Sequence, residues 1–336
     1  LSGAIHGWYS DMQIKNCVFE DNSAQQGGAI HSEFSDFQVD SSAFRRNLAS
    51  DGAAIHSFNT SYHIDSCLFV QNRASNDGGG IQYHIDTTNY SSPYELQILK
   101  SRFLQNEGFR RGALDIQQLN SDSSLVTVFI DDSEFSENVI DRGGNLFIGR
   151  NIEDIVISRT IFQGNSATLR TACCQISNNV KGTVSNCLFV SNQSPDGGSA
   201  CAIGLNSNIA FINNTFFNNS GIAALTLRNA GQAILLNNIF WRNRPYNMLM
   251  TATSDTTPCS ADIYYNNFEF GPDSIIINDT ISTVNWGTGN LDDDPLFNDT
   301  FIMDFRLQDT SACIGAGIDS IEISGAWYYS PLMDLA

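Results

Sequence analysis

The sequence predicts an all-β chain wound as a right-handed parallel β-helix of about ten coils with an irregular carboxy-terminal cap. Two observations lead there. A Phe-x-x-Asn pair recurs nine times, from Phe19/Asn22 through Phe44/Asn47, Phe69/Asn72, Phe103/Asn106, Phe135/Asn138, Phe162/Asn165, Phe189/Asn192 and Phe216/Asn219 to Phe240/Asn243. Its Phe spacings are 25, 25, 34, 32, 27, 27, 27 and 24, the period of a stacked-repeat architecture. The second observation does not use that pair. Five residues before each Phe stand Ile14, Val39, Ile64, Ile98, Ile130, Ile157, Val184, Phe211 and Leu235, all apolar. Seven before, only Gly182 breaks the apolar run.

Each element of a coil follows from this frame. Apolar residues at minus seven and minus five, alternating with mostly polar neighbours, mark a half-buried strand. The Phe sits in a second strand. Beyond the Asn come Gly-rich turns into a third apolar run, as in Gly28-Ala29-Ile30, Ala53-Ala54-Ile55 and Gly79-Gly80-Ile81. A repeat this short cannot bury its apolar face alone, so successive coils must stack strand on strand. Stacking places the Phe residues in one internal pile and the Asn residues in another, at a turn, where an amide ladder can form. The crossover preference of parallel strands gives the right hand. Spacings of 34 and 32 reflect polar insertions at 86–93 and 120–124, expected to protrude as loops. Coils are expected over residues 1–270 and a terminal coil or cap over 271–336.

Joined together, the Gly-Gly-Ala-Ile turn and Asn-Cys-x-Phe-x-x-Asn (Asn16 to Asn22, Asn186 to Asn192) resemble the repeat of pectate-lyase-like β-helices and of polymorphic-outer-membrane-type surface proteins. The tail, with Asp294-Pro295-Leu296-Phe297 and Ser311-Ala312-Cys313-Ile314-Gly315, resembles the end of large bacterial exported β-helix proteins. The resemblance implies an extracellular or cell-surface location and leaves activity open, because this fold hosts lyases, hydrolases, adhesins and structural proteins. Gly3-Ala4-Ile5-His6 matches Gly28-Ala29-Ile30-His31, so the chain is expected to begin inside a coil and to be a piece of a longer polypeptide.

Composition narrows the classes. Acids number 36 against 17 Lys and Arg, a net charge of -19. That balance disfavours nucleic acid and other polyanions. No apolar run is long enough for a membrane-spanning helix. The leading expectation is a non-enzymatic structural or adhesin-type rod. Its expected partners are copies of itself or neighbouring domains through the coil ends, and surface glycans. The alternative is a carbohydrate-active enzyme or a glycan-binding module.

Chemistry-bearing residues are few. Arg110, Arg111 and Asp115, with Asp131, Asp132, Asp141 and Arg142, lie at similar coil phases and would line one face of an enzyme's groove. Solvated turn residues are the plainer reading, with no catalytic residue. His6, His31 and His56 follow the Ile of three consecutive coils and should form a column, which suits metal coordination or pH sensing or is a by-product of repetition. Asp292, Asp293 and Asp294 offer oxygens to calcium, set against a structural turn, so no cofactor is expected. Cys174 and Cys201 each lie twelve residues after their Phe on adjacent coils, within disulfide range or as stacked thiols. Cys17, Cys67 and Cys187, two before their Phe, should be buried as small apolar groups.

Overall fold

A computed structural model describes residues 3–86, 88, 93–120 and 126–331. Most of the two expected loops lie outside these residues. Each coil runs through three strands in fixed order. Sheet I starts with Ile5–Trp8 and sheet II with Met12–Lys15, each eleven strands deep; sheet III starts with Val18–Glu20 and is ten deep. All three are parallel throughout, an all-β solenoid of about ten coils. A shorter fourth sheet joins Leu48–Asp51, Arg73–Asp77, Glu107–Gly108, Val139–Arg142 and Ser166–Leu169.

Register is like on like throughout sheets II and III and along sheet I up to the strand Gly198–Gly204, where bulges shift it. Ile14 pairs with Val39 and Val39 with Ile64; Phe19 pairs with Phe44 and Phe44 with Phe69. The Phe rings form a continuous pile from Phe19 to Phe268, centroids 4.3 to 5.2 Å apart. That is the strand spacing of a sheet, about 4.8 Å. Isolated aromatic pairs prefer an offset or edge-on arrangement; here the backbone imposes the stack.

Beside the Phe pile runs a closed amide ladder. Asn47 Oδ1 accepts from both the backbone N–H and the Nδ2 of Asn22. Its own Nδ2 donates to the Phe19 carbonyl and to Asn72 Oδ1. The pattern repeats through Asn72, Asn106, Asn138, Asn165, Asn192 and Asn219. The Asn is the inward anchor of the turn, and the left-handed backbone falls one residue earlier. Asp21, Arg46, Gln71, Gln105, Glu137, Gly164, Ser191, Asn218 and Arg242 have φ between 52° and 61°. A left-handed non-glycine residue costs about 1–2 kcal/mol, offset here by the ladder bonds it aims. A second ladder, Asn214–Asn238–Asn266–Asn290, takes over two residues before the Phe in the last coils.

Glycine is required where the turn folds back over the sheet I strand. A Cβ on Gly27 (φ 59°) would fall 2.1 Å from the Ile30 carbonyl oxygen, and one on Gly52 (φ 58°) 2.3 Å from that of Ile55.

Stacking does not stop at residue 270. Ile275–Ile277 extends sheet I, Thr283–Trp286 extends sheet II, and Leu291 bridges to Asn267. The remaining tail forms two antiparallel hairpins, Phe297–Asp299 with Asp304–Leu307 and Ser320–Ile323 with Ala326–Tyr329. They lie along the flank of the coils. Phe297 and Phe305 pack on Phe217 of sheet III. Ile323, Ile321 and Tyr328 cover Ala210, Ile212, Ile234 and Leu236 on the outer face of sheet II.

Asn165→Ala is expected to destabilise the chain by on the order of 3 kcal/mol, because it strands several buried donors and acceptors at once. Asn22→Ala, at the half-buried end of the ladder, should cost clearly less. Urea unfolding monitored by circular dichroism checks both; equal losses would mean that the ladder does not act as a connected unit.

Candidate functional site

Polar side chains with chemistry concentrate on the first five strands of sheet I and the turns that lead into them. On the outer face of sheet I one column reads His6, His31, His56, Gln82, Asp115, Phe147 in register. Next to it, on the turn side, Asp51, Asp77 and Arg111 stand one above another. Between the two columns lies an ionic knot whose carboxylates, Asp77 and Asp115, are buried. Arg111 Nη1 donates to Asp77 Oδ2 of the preceding coil at 3.0 Å. Its Nε lies 3.6 Å from Asp115 Oδ1 in its own coil. Its guanidinium lies 4.5 Å from the Phe147 ring centroid in the next. One side chain thus ties three coils. Arg110 adds a 2.9 Å bond to Asp77.

Asp115 has no exposed surface. Gln82 and Gln117 donate to it at 3.2 and 3.0 Å, and His84 Nε2 is 3.5 Å away. Asp77 is held above the usual carboxylate range by burial first and by the Asp115 charge second, against the pull of the arginines. An enclosed carboxylate that already holds its donors braces the coils and is not placed to touch a substrate. Of the residues grouped by coil phase, the fold brings Arg110, Arg111 and Asp115 together. Asp77, which no motif flagged, completes the knot.

The other candidates lie apart. Asp131 ends a sheet II strand, where its carboxylate accepts from Ser158 Oγ and pairs with Arg159. Asp132 follows it in left-handed backbone at the sheet II–III corner. Asp141 and Arg142 lie on the fourth sheet, 3.6 Å apart, with Arg142 over the Phe109 ring. Asp292, Asp293 and Asp294 do not converge: Asp292 Oδ1 accepts from the Phe270 N–H, the Asp293 backbone pairs with the Asn267 amide, and Asp294 Oδ1 accepts from the Leu296 N–H.

Cys174 and Cys201 are register partners, both buried and both free thiols. Cys67 and Cys187 are buried, whereas Cys17, on the first coil, is exposed. Trp8, Trp327 and Tyr329 are exposed, and Tyr94 is buried.

The histidine column forms as spaced. His31 and His56 stack at 4.9 Å with planes 2° apart, and His6 meets His31 edge-on at 5.1 Å. His31 Nε2 contacts Glu33 Oε1 at 2.6 Å. Two groups of potential metal ligands lie within reach of one another among the described residues: His6–His31–Glu33 and Asp40–His63–Asp65. Glu33 enters because it is two residues beyond His31 on the same strand face, a period-2 signal present in the sequence.

Sheet II carries a shallow groove of about 370 Å³ on its outer face, lined by Asp11, Gln13, Asp36, Gln38, Ser61, His63, Glu95 and Gln97. At the sheet I–II corner Tyr9 and Phe34 stack at 4.9 Å, beside a continuation of this surface.

Residues 16–33 match the model of the Chlamydia polymorphic membrane protein (Chlamydia_PMP) repeat. The matched stretch is one αL–Phe–αL–Asn corner with the Gly turn and the sheet I strand that follows, so the match and the fold describe the same unit. No curated protein and no solved structure matches the chain. Among the described residues no helix is long and apolar enough to cross a membrane.

Burial, with His31 and His84 nearby, lowers the His56 imidazole to about 3. An unfolded His titrates near 6.5 (roughly). As pH falls from about 6.5 toward about 3, the unfolded chain takes up a proton that folded His56 refuses, and the fold loses stability. His56→Gln, which continues the column as Gln82 does, is expected to flatten this part of the stability–pH curve in urea unfolding at about pH 7, 5.5 and 4. An unchanged slope would show that His56 is not the group responsible.

Proposed function

We propose that this chain is a stiff, non-enzymatic segment of a bacterial surface protein, held outside the cell as a structural or adhesin-type rod. The observation that carries the reading is the continuous parallel pairing of sheet I from Ile5 to Ile277, with Phe and Asn side chains locking each coil to the next. About ten coils at about 4.8 Å each give a body about 50 Å long that resists bending because every coil bonds to its neighbours. The repeat match supports a surface location. The enclosure of Asp115 argues against a catalytic role for the arginine–aspartate knot. Contact with further copies or neighbouring domains through the coil ends belongs to this reading, and the charge of -19 keeps the rod soluble.

A second reading, glycan binding, is favoured by the sheet II groove. Its carboxylates and amides suit sugar hydroxyls, and the Tyr9–Phe34 stack offers an aromatic edge.

Incubation with a panel of acidic and neutral polysaccharides is expected to release neither unsaturated nor reducing sugars. Release that disappears in Arg111→Ala or Asp115→Ala would replace the rod with an enzyme. On a glycan array, binding reduced about tenfold or more by the double change Gln38→Ala, Gln97→Ala would establish the second reading, on the scale expected when a bound partner's polar groups lose their hydrogen bonds.

A further inference from the structure

We propose that His6, His31 and Glu33 bind one divalent transition-metal ion of the zinc, cobalt or nickel class. One ligand atom from each lies within 4.8 Å of the other two. The placement follows from the fold. His31 and Glu33 alternate onto one face of the strand Ile30–Glu33, and His6 is the register partner of His31 on the neighbouring strand. The three donors therefore come from two hydrogen-bonded strands, with backbones fixed by the sheet.

The donor set selects the ion. Two imidazoles and one carboxylate suit zinc-class metals. Calcium takes six to eight oxygens (roughly), and this group supplies a carboxylate alone. Three protein ligands leave one tetrahedral position for water.

Surroundings grade from dry to wet. The His31 side chain is 8% exposed, Glu33 is 34% exposed, and His6 is exposed, so an ion enters from the His6 side. His31 Nδ1 is buried without a hydrogen-bond partner, so all of that ring's polar bonding runs through Nε2 into the cluster. Binding frees the Nε2 lone pair by shifting the ring proton to Nδ1 and breaks the His31–Glu33 hydrogen bond. His56, stacked flat on His31, holds the ring plane and is itself no ligand. The column marked by its spacing of 25 residues thus contributes two of its three histidines, and a glutamate replaces the third.

Trp8 supplies a built-in reporter, because it is the register partner of Glu33 and is exposed. The full chain is titrated with Co²⁺ and read by visible d–d absorption and tryptophan fluorescence. One ion per chain is expected, with quenching that Trp8→Phe removes while the absorption remains. Glu33→Gln and His6→Asn change solvent-side groups and should each weaken Co²⁺ binding by about tenfold or more, with thermal unfolding confirming that both variants fold. His63→Gln, in the other ligand group, should leave binding unchanged. Absence of d–d absorption, binding indifferent to Glu33→Gln and His6→Asn, or binding lost with His63→Gln would each overturn the proposal.

Discussion

In-register parallel hydrogen bonding between one coil and the next is the constraint on which the rest of this structure depends. It brings equivalent positions to about 4.8 Å, close enough for rings to stack and amides to bridge. The Phe pile and the Asn ladder follow from that distance. Their contributions differ. The Phe rings supply apolar burial that any similar side chain would partly supply. The Asn amides answer a directional need, since each turn leaves a backbone N–H and a Phe carbonyl inside, and an unpaired buried polar group costs about 1–3 kcal/mol. With Oδ1 accepting twice and Nδ2 donating twice, each interior Asn is fully satisfied.

The same stacking explains the unusual outer face of sheet I. Side chains there would ordinarily meet water, but the glycine turns fold back over the strand and bury them. A buried column tolerates charge only in balanced form. Arg110 and Arg111 together face Asp77 and Asp115, and Gln82 and Gln117 donate to Asp115. Where the column reaches the first coil, burial relaxes, and His6 and Glu33 open toward solvent. The polar chemistry of the molecule is thus graded along the rod axis, enclosed at Asp115 and accessible at His6.

Strand positions, the Phe and Asn columns and the Cys174–Cys201 pairing were legible because each is a direct reading of the repeat period. The partner of Arg111 lay within reach of the same count, since Asp77 and Arg111 each stand eight residues after their Phe, Phe69 and Phe103, but Asp77 belongs to no motif that would single it out. Asp131 and Asp132 stand four and three residues before Phe135, whereas Arg110 stands seven after Phe103, so a strict count from the Phe already separates the sheet II–III corner from the glycine turn. Glu33 was available from the alternation of a strand once His31 had been singled out.

The tail shows where the boundary lies. The strands Asn208–Ile212 and Gln232–Leu236 lose the apolar–polar alternation of earlier coils, because their outer faces are also covered. The chain alone thus specified the coil, its period and its inward residues, since all of these are local patterns repeated at short range. Only the tertiary structure decided what covers those faces and which polar groups are enclosed. Those outcomes depend on hairpins whose separation from the coils follows no period, and on bulges that close only when the coils are stacked.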